Sequence, residues 1–581
     1  MKIRDSIFGR LLTYVLNYRH YLLLVICFAL ITVTANLLAP LMIGQAIDLM
    51  AGPGKVAFSA LLAKIIQLAL VYVLLGLSQW FVSYYLAQLA NRTAKDLRND
   101  LFTNLTEFPL AFFDRTSHGD IISRFVNDVD QITEGLLQAL NQLVTGVITI
   151  LGAIGFMLYI NPLMAAVVLV SAPITYFVAR FITLRTQKMF KLQAAMLGRL
   201  NGLAEEMIGG QRIVTAFNYQ DRAFDQFNAL NQELYGIGVK AQFYSSLPNP
   251  TTRFVNNITY IAVGIIGCFA AIMRVITVGD ISSFLIYANV FAKPFNEISG
   301  VIAQFQSALA SAGRVFELID TPKQAPDPHD AVELAEAHGM VTFKHVNFAY
   351  QKNRPLIQDF NLAVKPGCRI AIVGATGAGK TTIVNLLMRF YDVDSGTIQV
   401  DGISTDKISR DSLRRSFGMV LQDTWLFSGT VRENIAYGRP GATDEEIEAA
   451  AKAASAHSFI RRLPEGYNTR ISSTGDNFSQ GEIQLLTIAR VMLAQPPMLI
   501  LDEATSNIDV ITEMKIQKAF LAMMAGRTSF VIAHRLSTIK EADLILVMEN
   551  GNIIESGSHA ELLAQQGAYY RLYNSQFAPN Q

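Results

Sequence analysis

The chain has 581 residues, 51% of them hydrophobic and only 16% charged, with a mean hydropathy of +0.30. Soluble proteins carry about 25% charged residues, so this chain is short of the side chains that keep a surface wet, and its hydrophobicity excludes disorder. Lys and Arg (48) nearly balance Asp and Glu (47), which excludes a global basic field for nucleic acid, and three scattered cysteines (Cys27, Cys268, Cys368) form no disulfide framework.

In chain order, residues 1–18 mix polar and apolar side chains with Lys2, Arg4 and Arg10 and no small-residue cleavage site. They read as an interfacial helix leading into a first span, not as a cleaved leader. Residues 21–47 and 65–91 contain no Asp, Glu, Lys or Arg, and each exceeds the roughly 20 apolar residues that cross a bilayer as a helix. Residues 135–179 are also charge-free but are broken by Asn161-Pro162. A residue before proline avoids helical geometry, so this run reads as two spans joined by a tight turn. Residues 254–273 give a fifth span. The sixth is weaker: residues 281–292 are uncharged, then Lys293, Pro294 and Glu297 intervene before residues 298–313 resume. On a helix, Lys293 and Glu297 lie four apart and can neutralise each other, while an ion-interrupted span faces a bundle interior or a wet cavity.

Positive charge follows spans two and four (Arg92, Lys95, Arg98; Arg180, Arg185, Lys188, Lys191), whereas the opposite loops hold Lys55, Lys64 and Arg274. The positive-inside rule therefore puts both termini and both long loops in the cytosol, and the expected location is the plasma (inner) membrane. The long loops are rich in helix formers, so the spans should extend as long helices beyond the membrane, with short transverse helices around residues 112–120 and 209–218. Residues 321–340 lose hydrophobic periodicity and gain prolines and acids, which marks a linker. From Val341 onward, short β-branched runs alternate with amphipathic helices. The fold expected is an all-α six-helix polytopic transmembrane domain (1–320), a linker (321–340) and an α/β P-loop NTPase domain (341–581).

Gly374-Ala-Thr-Gly377-Ala-Gly379-Lys380-Thr381 fits G-x-x-x-x-G-K-[ST] between an apolar strand and an apolar helix. Glycines let backbone N–H groups close around phosphates, Lys380 reaches the terminal phosphates, and Thr381, with Thr382 beside it, adds hydroxyls, that of Thr381 toward Mg²⁺. Met498-Leu-Ile-Leu-Asp502-Glu503 reads as a buried strand ending in two carboxylates, Asp502 for the Mg²⁺ shell and Glu503 for polarising the attacking water. Cofactors ATP and Mg²⁺ follow.

Between these halves, Asn477-Phe478-Ser479-Gln480-Gly481-Glu482 resembles the signature of ATP-binding cassette (ABC) proteins. The order of motifs in residues 341–581, after six spans, is similar to an ABC exporter half-transporter along the whole chain. The resemblance implies that Tyr350 stacks on adenine and that Gln422 touches Mg²⁺ and the attacking water. It further implies that residues 506–509, ending in Asp509, form the D-loop and that His534 holds the γ-phosphate. It also implies that Ser479 and Gly481 serve the nucleotide of an opposite subunit, so that the working unit is a dimer. Where the family has Leu-Ser-Gly-Gly-Gln, this chain has Phe-Ser-Gln-Gly-Glu, which should weaken the site that this signature completes. Intact Glu503 beside an altered signature resembles one subunit of the heterodimeric bacterial multidrug exporters. The expected partners are a second ABC half-transporter, the lipid bilayer and a small-molecule or lipid substrate, with no nucleic acid. A homodimeric lipid flippase, a peptide exporter, or an ATP-gated channel or regulator are the alternatives on the same frame.

Overall fold

The computed structural model describes residues 6–50, 56–334, 336–422, 424–471, 478–502, 508–533 and 536–576. The chain forms two compact units, residues Met1–Glu107 with Thr116–Pro322, and Phe108–Arg115 with Lys323–Gln581.

The first unit is helical: α1 (Ile7–Leu16), α2 (Arg19–Asp48), α3 (Phe58–Leu105), α5 (His118–Ser123), α6 (Val129–Ile160), α7 (Pro162–Gly209), α8 (Gln211–Ala216), α9 (Gln220–Ser246), α10 (Pro248–Ile272) and α11 (Val278–Ile319). The intervening α4 (Leu110–Arg115) belongs to the second unit. The charge-free runs fall inside α2, α3, the α6–α7 pair and α10, because a chain in hydrocarbon must satisfy its backbone within the helix. The α6–α7 break sits at Asn161, whose backbone is extended (φ −158°, ψ 114°) and whose side chain accepts from the Leu163 and Met164 N–H groups at 3.0 and 3.1 Å. Pro162 at the first helical position lacks an N–H that would have had no partner there.

Five segments among the described residues are long and apolar enough to cross a membrane: Arg19–Asp48, Phe58–Leu105, His118–Ile160, Pro162–Gly209 and Gln220–Ile272. The sixth expected span corresponds to α11, which is long but does not reach that apolarity. Asp280, Asn289 and Lys293 dilute its apolar residues. The side chain of Glu297 lies outside the described residues, so the Lys293–Glu297 pairing does too.

Polar groups within the helices are satisfied by neighbours. Pro40 interrupts the ladder of α2, and α11 supplies donors at that level: Ser283 to the Pro40 carbonyl (2.8 Å) and Tyr287 to the Leu37 carbonyl (2.5 Å). Thr32 of α2 donates to Ser78 of α3 at 2.9 Å in a buried pair. The end of α2 is clasped to the start of α11 by Asp48, which accepts from the Gly279 N–H and the Thr277 hydroxyl, both at 2.7 Å. The clasp requires glycines, since a Cβ on Gly279 would sit 2.0 Å from the Gly44 carbonyl. At the other end of α11, Arg314 forks onto the nearly buried Asp128 through both guanidinium nitrogens, Nε at 3.0 Å. Asp128 closes a π-helical turn, Arg124–Asp128, that runs into α6.

The second unit is built on a six-stranded sheet in the order β12-β11-β3-β10-β9-β6. Its members are β3 (Arg369–Gly374), β6 (Phe417–Val420), β9 (Met498–Asp502), β10 (Thr528–Ile532), β11 (Leu544–Glu549) and β12 (Asn552–Gly557). All neighbours run parallel except β12, which is antiparallel to β11. A four-stranded antiparallel sheet, β2-β1-β4-β5, covers one face. It comprises β1 (Val341–Phe348), β2 (Ile357–Val364), β4 (Ser395–Val400) and β5 (Ile403–Ser404). A two-residue ladder joins β7 (Gly429–Thr430) to β8 (Arg470–Ile471). Alternation along the strands feeds two cores. Ile370 and Ile372 of β3 pack with Phe343, Ile383 and Ile500, whereas Ala371 and Val373 pack on the other face with Leu485, Ile488 and Leu501. The stretch before β1 lies against this unit: Arg410 donates to the Ala325 carbonyl (2.8 Å) and to Asp327 (2.6 Å).

The α2–α11 clasp gives an ordered prediction for thermal unfolding of the purified protein. Gly279→Ala, which forces backbone apart, lowers Tm most. Asp48→Ala strands a part-buried N–H, at a cost of about 1–3 kcal/mol, and lowers Tm less. Gly76→Ala on α3, where a new Cβ meets nothing within 4 Å, leaves Tm unchanged or raises it, since alanine is the better helix former.

Candidate nucleotide site

Strand β3 ends in a loop whose three glycines all take φ values that favour glycine: Gly374 (153°), Gly377 (84°) and Gly379 (97°). At Gly374 a Cβ would also lie 2.3 Å from the Met548 carbonyl of the neighbouring strand, so the close turn excludes a side chain. At Gly377 a Cβ would meet nothing within 4 Å, so that glycine is required by conformation and not by packing. The loop opens into α12 (Lys380–Leu387). Lys380 is buried, and its ammonium donates back across the loop to the carbonyls of Gly374 (2.8 Å) and Ala375 (3.0 Å). Burial lowers its pKa, and the Asp502 carboxylate opposes that shift. Thr381 is exposed on the first turn of α12, whereas Thr382 is only 4% exposed and turned into the core.

The sheet register brings the second half of the motif alongside. Ile372, Ile532 and Asp502 pair in one row across β3, β10 and β9, so Asp502 ends its strand level with the approach to the glycine loop. A buried ammonium, a helix N-terminus, left-handed glycines and an adjacent carboxylate fit a nucleoside triphosphate. The Thr381 hydroxyl and Asp502 carboxylate are hard oxygen donors of the kind Mg²⁺ takes beside phosphates. Glu503 and His534 lie outside the described residues. Gln422 is exposed two residues beyond β6, the strand next to β9.

Tyr350 stands at the end of β1 with its ring edge-on to Phe348 and to Tyr391, each at 4.9 Å. Its hydroxyl accepts from Asn385 of α12 at 3.1 Å, which links it to the helix that opens the phosphate loop. The α4 segment reaches the same tyrosines: Arg115 donates to the Tyr350 carbonyl at 2.9 Å, and Asp114 accepts from the Tyr391 hydroxyl. Burial and the Asp114 carboxylate both raise the Tyr391 pKa, holding the phenol protonated as a donor.

Ser479 caps the helix Gln480–Ala494 in a closed capping box. The Glu482 N–H donates to the Ser479 hydroxyl (3.3 Å), and the Glu482 carboxylate accepts from both the N–H (2.9 Å) and the hydroxyl (3.0 Å) of Ser479. Glu482 therefore does more than add negative charge, because it occupies the hydroxyl proton of its own serine. Gly481 is demanded by packing: a Cβ there would lie 2.4 Å from the Thr512 side chain. Asp509 caps the helix Val510–Met524, accepting from the Thr512 N–H at 2.9 Å, and these bonds hold its carboxyl below the usual range.

Sequence reasoning singled out the stretch 112–120 that holds Arg115 without giving that residue a role, and it missed Asn385, Tyr391 and Arg490. The last ties the signature helix to its neighbours, donating to the Asn434 carbonyl at 2.9 Å and lying over the Phe427 and Tyr437 rings. No local pattern marks these residues, because their partners are distant in sequence.

Two regions of the chain match known families. Residues 22–295 match the ABC transporter transmembrane region, and residues 357–506 match the ABC transporter cassette family. The fatty acid ABC transporter ATP-binding/permease protein of Mycobacterium tuberculosis (strain CDC 1551 / Oshkosh) is 44% identical over 530 residues, covering 90% of this chain and 84% of the relative. The ABC transporter ATP-binding protein YfiC of Bacillus subtilis (strain 168) is 41% identical over 568 residues, covering 98% of this chain and 94% of the relative. Among solved structures, a bacterial Atm1-family ABC exporter with ATP bound superposes with a TM-score of 0.78 at 29% identity, covering 97% of this chain and 99% of the other. Long apolar helices fused to a glycine-loop cassette, with relatives matched over nearly their full length, place the chain in the ABC transporter family as a multi-pass membrane exporter of the half-transporter type, whose cassette binds ATP to drive transport.

Proposed function

We propose that this chain is the ATP-hydrolysing subunit of an exporter for hydrophobic or amphipathic compounds, working by alternating access as one half of a heterodimer in the plasma membrane, with its cassette in the cytosol. The glycine loop with Lys380 folded across it supports the nucleotide reading. In this reading Lys380 and the loop N–H groups hold the phosphates of ATP, Tyr350 stacks on the base, Gln422 and Glu503 orient the attacking water, and His534 steadies the γ-phosphate. Thr381 and Asp502 hold Mg²⁺, which supplies neutralising charge to the phosphates when bound. Glu503 takes a proton from the water as it attacks. Closure of two cassettes on ATP and their release after hydrolysis drive the helices between two arrangements.

The heterodimer reading rests on the Ser479–Glu482 capping box. A signature serine that donates to its own helix has no proton to give a γ-phosphate, and the carboxylate beside it repels one. The site completed by this signature is then weak, while the site on this chain's own loop keeps Glu503 and borrows its signature from a partner. The similarity to the mycobacterial fatty acid ABC transporter supports an amphipathic cargo.

Three outcomes test this. In the complete transporter, Glu503→Gln cuts phosphate release at least a hundredfold, the reach of a lost general base, while ATP binding persists; Lys380→Ala loses both. Tagged protein brings a second half-transporter through purification, and the chain isolated alone hydrolyses ATP slowly. Brisk hydrolysis by the isolated chain, abolished by Glu503→Gln, would instead establish a homodimer. In that isolated chain the altered signature faces intact Glu503 sites, so Glu482→Gln raises hydrolysis by about tenfold, equivalent to ~1.4 kcal/mol, and an unchanged rate rules out Glu482 as the cause of weakness.

A further inference from the structure

The charge-free run of α2 begins at Tyr21 and that of α3 ends at Asn91, so Tyr21 and Arg92 mark one border of the apolar layer from two helices. The Arg92 guanidinium lies over the Tyr21 ring at 5.0 Å and over the Tyr18 ring at 5.9 Å. Tyr18 is fixed beneath it, because its hydroxyl donates to Asp96 at 2.8 Å, and the Tyr14 hydroxyl donates to Asp100 at 2.6 Å. The two carboxylates that follow Arg92 on α3 are thus occupied by phenols. Arg19, Arg92 and Lys95 are all exposed. None of the three makes an ion pair among the described residues, whereas Arg98, further along α3, pairs with Asp130 at 2.6 Å.

A series of rings leads from this border into the apolar layer. Tyr21 of α2 meets Tyr85 of α3 with ring centroids 6.2 Å apart, Tyr85 stacks on Phe28 (5.9 Å), and Phe28 stacks on Phe81 (4.7 Å). Phe81, Tyr85 and Arg92 are spaced by four and seven residues, which puts them on one face of α3. Trp80 and Tyr84, stacked on each other at 5.9 Å, flank that seam and are 59% and 48% exposed. A guanidinium already held on two ring faces has little rotamer freedom left to lose, so an anion that meets it need not order it.

We propose that the α2–α3 seam binds an anionic glycerophospholipid, with its phosphate on Arg92 and an acyl chain along the ring series. Arginine suits the centre of such a site, since its planar fork meets two phosphate oxygens at once. Arg19 and Lys95 beside it favour a head group of net negative charge over a zwitterionic one. The phosphate then bridges the turn between α1 and α2, through Arg19, to α3, through Arg92 and Lys95. Trp80 precedes Arg92 on α3 by about 18 Å of helix at ~1.5 Å per residue, close to the ~15 Å of hydrocarbon in one leaflet. Its ring therefore meets the acyl chain of a lipid whose head group rests on Arg92. The site requires neither ATP nor cargo, so it stands apart from the transport reading.

Trp80 is the reporter for the test. The complete transporter is placed in phosphatidylcholine nanodiscs holding a minor fraction of phosphatidylglycerol, with bromine on the acyl chains of either the phosphatidylglycerol or an equal amount of the phosphatidylcholine. Bromine quenches tryptophan emission at short range, and the Trp80 signal is the difference between the wild type and Trp80→Phe. Brominated phosphatidylglycerol is expected to quench Trp80 more than brominated phosphatidylcholine does. Arg92→Ala cuts that preference about fivefold, the scale of one basic side chain at an anionic surface, and leaves quenching by phosphatidylcholine as it was, which shows that α3 still stands in the bilayer. Lys188→Ala, which removes an equal exposed charge from α7, leaves the preference intact, as does excess soluble glycerol phosphate. Equal quenching by the two lipids, or a preference that survives Arg92→Ala, overturns the proposal. So does a preference lost equally in Lys188→Ala, which marks general surface charge, or one abolished by glycerol phosphate, which marks a site for free phosphate.

Discussion

Hydrocarbon offers nothing to an unpaired N–H or C=O, and the first unit is organised by that constraint. It makes the spans continuous helices and confines the α6–α7 break to one residue whose side chain caps the next helix. Within the same setting, Ser283 and Tyr287 of α11 donate to the Pro40 and Leu37 carbonyls of α2. It also gives weight to the polar groups that remain. The Thr32 hydroxyl pairs with that of Ser78, whereas the side-chain amides of Asn36, Gln79, Asn141 and Gln142 and the Lys293 ammonium line one polar cavity between α2, α3, α6 and α11.

In the second unit, conformation is set by a different demand, that backbone come close to a polyanion. Three glycines with left-handed φ values shape the loop between β3 and α12, and Lys380 bridges its carbonyls. The aromatic corner of Phe348, Tyr350 and Tyr391 is joined to the same helix through Asn385, and α4 reaches that corner from a distant part of the chain through Arg115 and Asp114. The aromatic corner and the glycine loop are thus joined through one helix, and a segment drawn from between α3 and α5 contacts both tyrosines.

The altered signature leaves the fold undisturbed. Glu482 is a good capping residue, so the helix it opens gains a closed box. The cost falls on Ser479, whose hydroxyl is turned toward its own helix. Gly481 is retained for a separate reason, contact with Thr512 of the helix that Asp509 caps.

The sequence by itself determined what depends on neighbours along the chain. Charge-free runs became helices, Asn161-Pro162 became a break, and the glycine loop kept its place between a strand and a helix, because these follow from local polarity and backbone freedom. The sixth expected span is not among the five segments apolar enough to cross a membrane, since Lys293 and its polar neighbours dilute the hydropathy of α11. Only the tertiary structure decided that Glu482 bonds to Ser479, that Arg115 reaches Tyr350 from 235 residues away, and that the amides of three helices meet Lys293 on a fourth. Such partners are chosen by packing between elements, and spacing along a single chain carries no record of which faces will meet.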